Sequence, residues 1–126
     1  MKTLGIDYGR SKVGLALAEG PLAEPWKVIR ESDKNLLIND IKKIIETEKI
    51  EKVVVGVSEG EMAAETRDFR KRLEKEINIP VEEFDETLTS QDAQNLSIEA
   101  GINRKKRREM EDAYAAAIIL QNYLDS

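Results

Sequence analysis

The sequence contains no cysteine and no histidine. Without cysteine there is no disulfide framework, no thiolate nucleophile and no thiolate metal site. Without histidine, imidazole drops out of every catalytic scheme and every zinc-ligand set. Chemistry must therefore come from carboxylates, hydroxyls, lysine, arginine or a bound metal. Aromatic residues make up only 5% of the chain, with a single tryptophan. No apolar run approaches the roughly eighteen residues of a membrane span, and Met1-Lys2-Thr3 opens no signal-peptide pattern. The expectation is a cytoplasmic protein that enters no membrane. Cations are also in the minority, 20 Lys and Arg against 25 Asp and Glu for a net charge of −5. That balance argues against a simple nucleic-acid coat protein. It leaves room for an enzyme whose acidic site is neutralised by metal.

The 126 residues, 40% hydrophobic and 36% charged, suit one globular domain, 1–126, with one core and a charged surface. They are too few for a two-lobed enzyme unless two copies associate. The chain is organised around Leu4-Gly5-Ile6-Asp7-Tyr8-Gly9. Leu4 and Ile6 alternate with small or polar neighbours as in a half-buried strand, which ends by delivering Asp7 to a turn. Alternation resumes with Val13, Leu15 and Leu17 on one face and Gly14, Ala16 and Ala18 on the other, so the two strands read as an antiparallel hairpin. The all-small face invites a neighbour to pack closely. Asp7 itself has two readings: a turn former bonding to backbone N–H groups, or a carboxylate on a rigid strand that anchors a hard cation or a phosphate site.

A turn segment at Gly20 to Pro25 leads to a third strand, Trp26 to Arg30, with Pro25 suited to an edge. Ser32 or Asp33 caps a helix to about Lys49 along which Leu37, Ile41, Ile44 and Ile45 form a stripe. Lys52 to Val57 reads as a strand covered on both faces. Glu61 to Ile77 forms a second helix with Met62, Phe69, Leu73 and Ile77 inward, and Val81 to Glu86 a fifth strand ending in paired acids. Ser90 caps a short helix that stops at Gly101. The basic run Arg104, Lys105, Lys106, Arg107 and Arg108 precedes the last helix, which carries Asp112 in its first turn. Met110, Ala113, Ala117, Leu120 and Leu124 make one apolar line of that helix, and Ala116, Ile119 and Tyr123 a second, headed by Asp112. Asp112 either faces the sheet or merely favours the helix N-terminal dipole.

Right-handed crossovers set the first, fourth and fifth strands parallel, and sites in such sheets lie beyond the carboxyl ends of the strands. Asp7, Asp85 or Glu86, and Asp112 can all reach that rim. Acids converging there repel one another unless a cation sits among them, and Mg²⁺ or Mn²⁺ takes oxygen ligands of this kind. Metal-assisted attack of water on a phosphodiester is the expected chemistry, and with two ions it needs no histidine base. The run Arg104 to Arg108 is either a solvated charged loop or, beside the acids, a set of contacts to backbone phosphates.

Four motifs together, Gly5-Ile6-Asp7-Tyr8-Gly9 with Val13-Gly14-Leu15-Ala16, Val53-Val54-Val55-Gly56, Asp85-Glu86-Thr87-Leu88-Thr89-Ser90, and Asp112 through Leu120, resemble the YqgF (RuvX) family over nearly the whole chain. The resemblance implies an α/β RNase H-like fold, a five-stranded mixed sheet of order 3-2-1-4-5 with strand 2 antiparallel, flanked by helices. It implies a nuclease acting at the 5′ end of precursor 16S ribosomal RNA, with ribosomal particles as possible partners, or a Holliday junction resolvase acting on branched DNA. By motif, Asp7, Glu86 and Asp112 would be the catalytic and metal-binding acids for Mg²⁺ or Mn²⁺, with Asp85 in reserve for the second role. Two departures from the family pattern stand out. Thr87 occupies the place of its usual arginine. Val57-Ser58-Glu59-Gly60 replaces its usual loop, and Glu59 adds a carboxylate there.

A resolvase is expected to be a symmetric dimer and an RNA-processing enzyme need not be, so monomer and homodimer both stay open, with Trp26 on an edge strand as one dimer contact. Two rival readings remain. Gly-x-Asp-x-Gly in a hairpin also resembles the phosphate loop of actin-like ATPases and sugar kinases, although one lobe is all this length supplies. A binding module without activity would carry clustered acids at a cost with no metal to need them.

Overall fold

The computed structural model describes residues 1–58, 60–85 and 104–126, the last segment with side chains from residue 110 onward. Five strands and three helices are described: β1 (Lys2–Asp7), β2 (Lys12–Glu19), β3 (Ala23–Arg30), α1 (Lys34–Glu48), β4 (Lys52–Val57), α2 (Glu61–Glu76), β5 (Val81–Asp85) and α3 (Arg104–Asp125). They form one sheet of order β3-β2-β1-β4-β5, the order that the family resemblance implies. β2 runs antiparallel to β1, while β4 is parallel to both β1 and β5.

The alternation along β1 and β2 decides which layer lies on which face. Ile6 opposite Leu15 and Leu4 opposite Leu17 turn large aliphatics to the side where α1 and α2 lie. There Leu37, Ile41, Phe69, Leu73, Val53 and Val55 close the main core. α1 starts as its sequence suggests: the Asp33 side chain accepts from the backbone N–H groups of Asn35 at 2.8 Å and Leu36 at 3.1 Å, satisfying two of the donors a helix start leaves open. The opposite face carries Gly5 opposite Ala16 and Thr3 opposite Ala18, and α3 lies on it through Ala116, Ala117, Ile119 and Leu120. The all-small face is thus covered as anticipated, by a helix that brings two alanines, Ile119 and Leu120 to the contact.

Two boundaries differ by more than a residue from the sequence reading. β3 begins at Ala23, and Pro25 sits inside it opposite Ala16. The register slips between Leu15 and Ala16, so Trp26 is the additional residue of a bulge, a distortion that an edge strand accommodates along with a proline lacking its donor. The last helix begins at Arg104, so the basic run is its opening stretch and not a loop before it. The short helix expected between Ser90 and Gly101 lies outside the described residues. Among the described residues no helix is long and apolar enough to cross a membrane.

Candidate active site

Asp7 is the last residue of β1 and shares a face with Gly5, the α3 face, because side chains alternate along a strand. Its neighbour on β2 is Gly14 and its neighbour on β4 is Gly56. Glycine on both sides leaves the acid on a floor without neighbouring side chains, on the face that α3 covers. Asp7 is half-buried, at the carboxyl rim where parallel-sheet sites form.

Gly14 also fixes the position of α3. A methyl group at Gly14 would lie 1.8 Å from the carbonyl oxygen of Asp112 and 2.8 Å from the amide nitrogen of Ala113, a separation no pair of atoms tolerates. At Gly5 a methyl would meet the Leu120 Cβ at 2.9 Å and the Ala116 carbonyl oxygen at 3.2 Å. The helix backbone therefore rests on the backbone of β1 and β2. Asp112 stands one glycine away from Asp7, since residues opposed in an antiparallel pair have Cα atoms about 5 Å apart. Asp112 is half-buried as well. Because α3 starts at Arg104, Asp112 is more than two turns into the helix, and the expectation that it occupies the first turn is corrected. The helix-dipole account of this acid falls with it, because that effect fades within the first turn. Contact with the sheet fixes the residue.

The same contacts orient α3. Going from Leu120 beside Gly5 to Asp112 beside Gly14 leads toward the carboxyl rim, so the eight residues before Asp112 carry the helix beyond it by about 12 Å at 1.5 Å per residue. The stretch Arg104 to Arg108 belongs to that overhang.

The remaining candidates fall elsewhere. Glu86 and Glu59 lie outside the described residues. Asp85 pairs with Val57 at the end of β5, and alternation puts it on the same side as Glu83, which meets α2 through Arg67 at 3.1 Å and Arg70 at 2.8 Å. Phe84, by contrast, faces α3 and meets the Tyr123 ring edge-on at 6.1 Å. Asp85 therefore stands across the sheet from the Asp7 and Asp112 pair. Among the described residues no three acids gather into a metal-binding group.

The turn after Asp7 is tied to α2. Tyr8 is buried and stacks on Phe69 with ring centroids 4.6 Å apart. Burial, then the nearby carboxylates of Glu65 and Asp68, hold its hydroxyl above the ordinary tyrosine range. Arg10 Nε donates to both carboxylate oxygens of Glu65, at 3.1 and 2.9 Å. That bond lowers the Glu65 carboxyl from its usual range and raises the Arg10 guanidinium. The sequence reading missed these anchors, and it missed Gly56 as a neighbour of Asp7. Pairing of distant segments is not written in either segment alone.

The comparisons with known proteins agree with this architecture. A family model described as "RuvX: Holliday junction resolvase" matches residues 1–126. A protein of Natranaerobius thermophilus named "Putative pre-16S rRNA nuclease" is 38% identical, the match covering 99% of this chain and 94% of that protein. One of Halothermothrix orenii with the same name is 36% identical over 99% of this chain and 95% of its own length. Among solved structures, the fowlpox virus resolvase bound to Holliday junction DNA superposes with a TM-score of 0.68 at 10% identity, over 99% of this chain and 97% of that one. Thermus thermophilus RuvC bound to a Holliday junction gives 0.66 at 17% identity, over 99% and 95%. At such identities these two structures bear on the fold, which is that of the RuvC-like, RNase H-type resolvases. With its motifs in order along one sheet and a family model matching from end to end, the chain belongs to the RuvX family.

Proposed function

We propose that this protein is a metal-dependent nuclease that hydrolyses phosphodiester bonds of precursor 16S ribosomal RNA at its 5′ end, in the cytoplasm. The observation that carries the reading is the seat of the Asp112 backbone on Gly14, the strand neighbour of Asp7 at the carboxyl rim. The curated relatives support the choice of RNA by their names. A helix backbone resting on bare strand backbone is a costly way to build a core, because it forgoes large buried side chains. It is an effective way to bring the backbones that carry two acids close together.

The donor set fits a hard cation: two half-buried carboxylates, no imidazole and no thiolate. Asp7 and Asp112 would hold Mg²⁺ or Mn²⁺, with Glu86 as the third ligand and two ions in the full site. Bound there, the metal supplies Lewis acidity at the phosphorus and a water of lowered pKa. In the reaction the water oxygen bonds to phosphorus, the P–O ester bond breaks, and the departing oxygen takes up a proton. Asp7 and Asp112 sit on rigid elements at the rim and so orient what binds there. The basic run Arg104, Lys105, Lys106, Arg107 and Arg108, in the overhanging start of α3, would supply contacts to the phosphates flanking the cut.

The test is cleavage of a labelled 16S precursor leader RNA and of a four-way DNA junction, each with Mn²⁺ and with EDTA. Wild type should cut the RNA only with metal, and Asp7→Asn and Asp112→Asn should each lose at least about a hundredfold. Cleavage of the junction alone would transfer the proposal to DNA resolution, the reading favoured by the family's description. Full activity of Asp7→Asn would end both.

A further inference from the structure

Three arginines near the ends of β1 and β5 hold carboxylates in two different ways. Arg70 is engaged on two sides, with Nη1 2.6 Å from Glu74 and Nε 2.8 Å from Glu83, and its side chain is only 16% exposed. It is a packing residue. Arg10 and Arg67 are bonded through Nε, Arg10 to Glu65 and Arg67 to Glu83 at 3.1 Å. Nε is the root of the guanidinium, so the two amino groups form its outer end. The side chains are 64% and 57% exposed.

Exposed ion pairs of this kind contribute little to stability, which gives the fold little reason to hold them. Their positions are more telling. Arg10 follows Asp7 by three residues in the turn that leaves β1. Arg67 lines a 280 Å³ cleft with Ser58 and Asp85 at the ends of β4 and β5. β1 and β5 are separated by β4 alone, so the two sites lie about 10 Å apart in the plane of the sheet, on the flanks of the first half of α2. In a chain of net charge −5, a polyanion must be met by local cations. A guanidinium whose Nε is already fixed loses less freedom when its amino groups grip a phosphate.

We infer that Arg10 and Arg67 form a second contact for the phosphodiester backbone, on the α2 side of the rim, so that a strand crossing Asp7 and Asp112 is held from both faces of the sheet. This inference rests on the nuclease reading above. The basic start of α3 holds the strand on one side, and the arginines anchored to Glu65 and Glu83 hold it on the other.

The test measures binding of the full chain to a labelled single-stranded RNA and to a four-way DNA junction in EDTA, across a salt series. Each phosphate contact contributes about 0.7 to the slope of log affinity against log salt on a single strand. The double variant Arg10→Gln, Arg67→Gln should flatten that slope on RNA by about 1.4 and weaken binding about tenfold at roughly 100 mM salt. The double Arg→Lys variant should recover most of the slope. Lys43→Gln, on the exposed side of α1, should leave the slope unchanged, and the melting temperature of every variant should stay within a few degrees of wild type. A double Gln variant with the wild-type slope overturns the inference while leaving the nuclease intact, and so does a Lys43→Gln variant that flattens the slope equally. Flattening on the junction but not on RNA moves the contact to DNA. A wild type that binds neither, in EDTA or with Ca²⁺ added to neutralise the acids, overturns the nuclease reading, and this inference with it.

Discussion

The two faces of the sheet are built on opposite plans. Toward α1 and α2 the strands present Leu4, Ile6, Val13, Leu15, Val53 and Val55, and the helices answer with Leu37, Ile41, Phe69 and Leu73. Toward α3 they present Gly5, Gly14, Ala16 and Ala18, answered by Ala116, Ala117 and Leu120. Burying large side chains yields roughly 25 cal/mol for each Å² of apolar surface, so the first face supplies most of the stability. The second face gives up that gain to bring backbones together, and what it obtains is position. The backbone of Asp112 reaches the strand neighbour of Asp7 on the face where side chains are small.

If the division holds, damage to each face should show in a different measurement. The largest effect on stability is expected from Leu4→Ala, at a fully buried position of the large face, with a loss of about 2 to 5 kcal/mol by chemical denaturation. Activity per folded molecule at low temperature should stay within about twofold. A comparable fall in activity would show that the large face also positions the acids.

The complementary variant is Gly14→Ala. Its methyl would fall on the Asp112 carbonyl, so α3 must move outward, and displacing a catalytic group by about 1 Å can cost about a hundredfold in rate. Stability should drop by about 1 to 3 kcal/mol, the usual range for overpacking. Unimpaired cleavage by a folded Gly14→Ala variant would break the link between close approach and catalysis. A smaller effect, about 1 kcal/mol, is expected from Asp33→Ala, which removes the cap of α1. Being a change on the large-face layer, it should leave the rate alone.

The two faces were also unequally legible. Alternation at Val13 to Ala18 marks both faces, and the i, i+4 spacing of Leu37 and Ile41 marks α1, because these patterns are local. The parallel run of β1, β4 and β5 followed from the handedness of crossovers, while the strand order came from the family resemblance of the motifs. The start of α3 was misplaced, because a run of arginines and lysines has good helix propensity but no apolar period to reveal it. Asp112 was then read as a residue of the first turn. Whether it faced the sheet depended on Gly14, nearly a hundred residues away, and no periodicity within the helix could report that contact. The Arg10 bond to Glu65 spans 55 residues and joins two exposed polar positions, which carry no hydrophobic signal at all.

Tyr8 offers the finest probe of the comparison, because it joins the turn carrying the site to the large face. Its ring is buried against Phe69, and burial raises its pKa above 10.0 in the folded protein. In the unfolded chain the phenol ionises near the ordinary value, so above about pH 10 the unfolded state has lost a proton that the folded state retains. The folded state binds more protons there, and linkage makes stability fall as pH rises. Below pH 10 the contribution is fully present; it is lost progressively toward the raised folded value. Tyr8→Phe keeps the stacked ring and removes the titration. The difference in urea midpoint between wild type and Tyr8→Phe should be constant from about pH 8 to 9.5 and then shift against wild type at about pH 10.5. A difference that stays flat across that range would place the hydroxyl in solvent. The turn would then be held to α2 by the ring contact and the Arg10 to Glu65 bond, with no buried phenol between them.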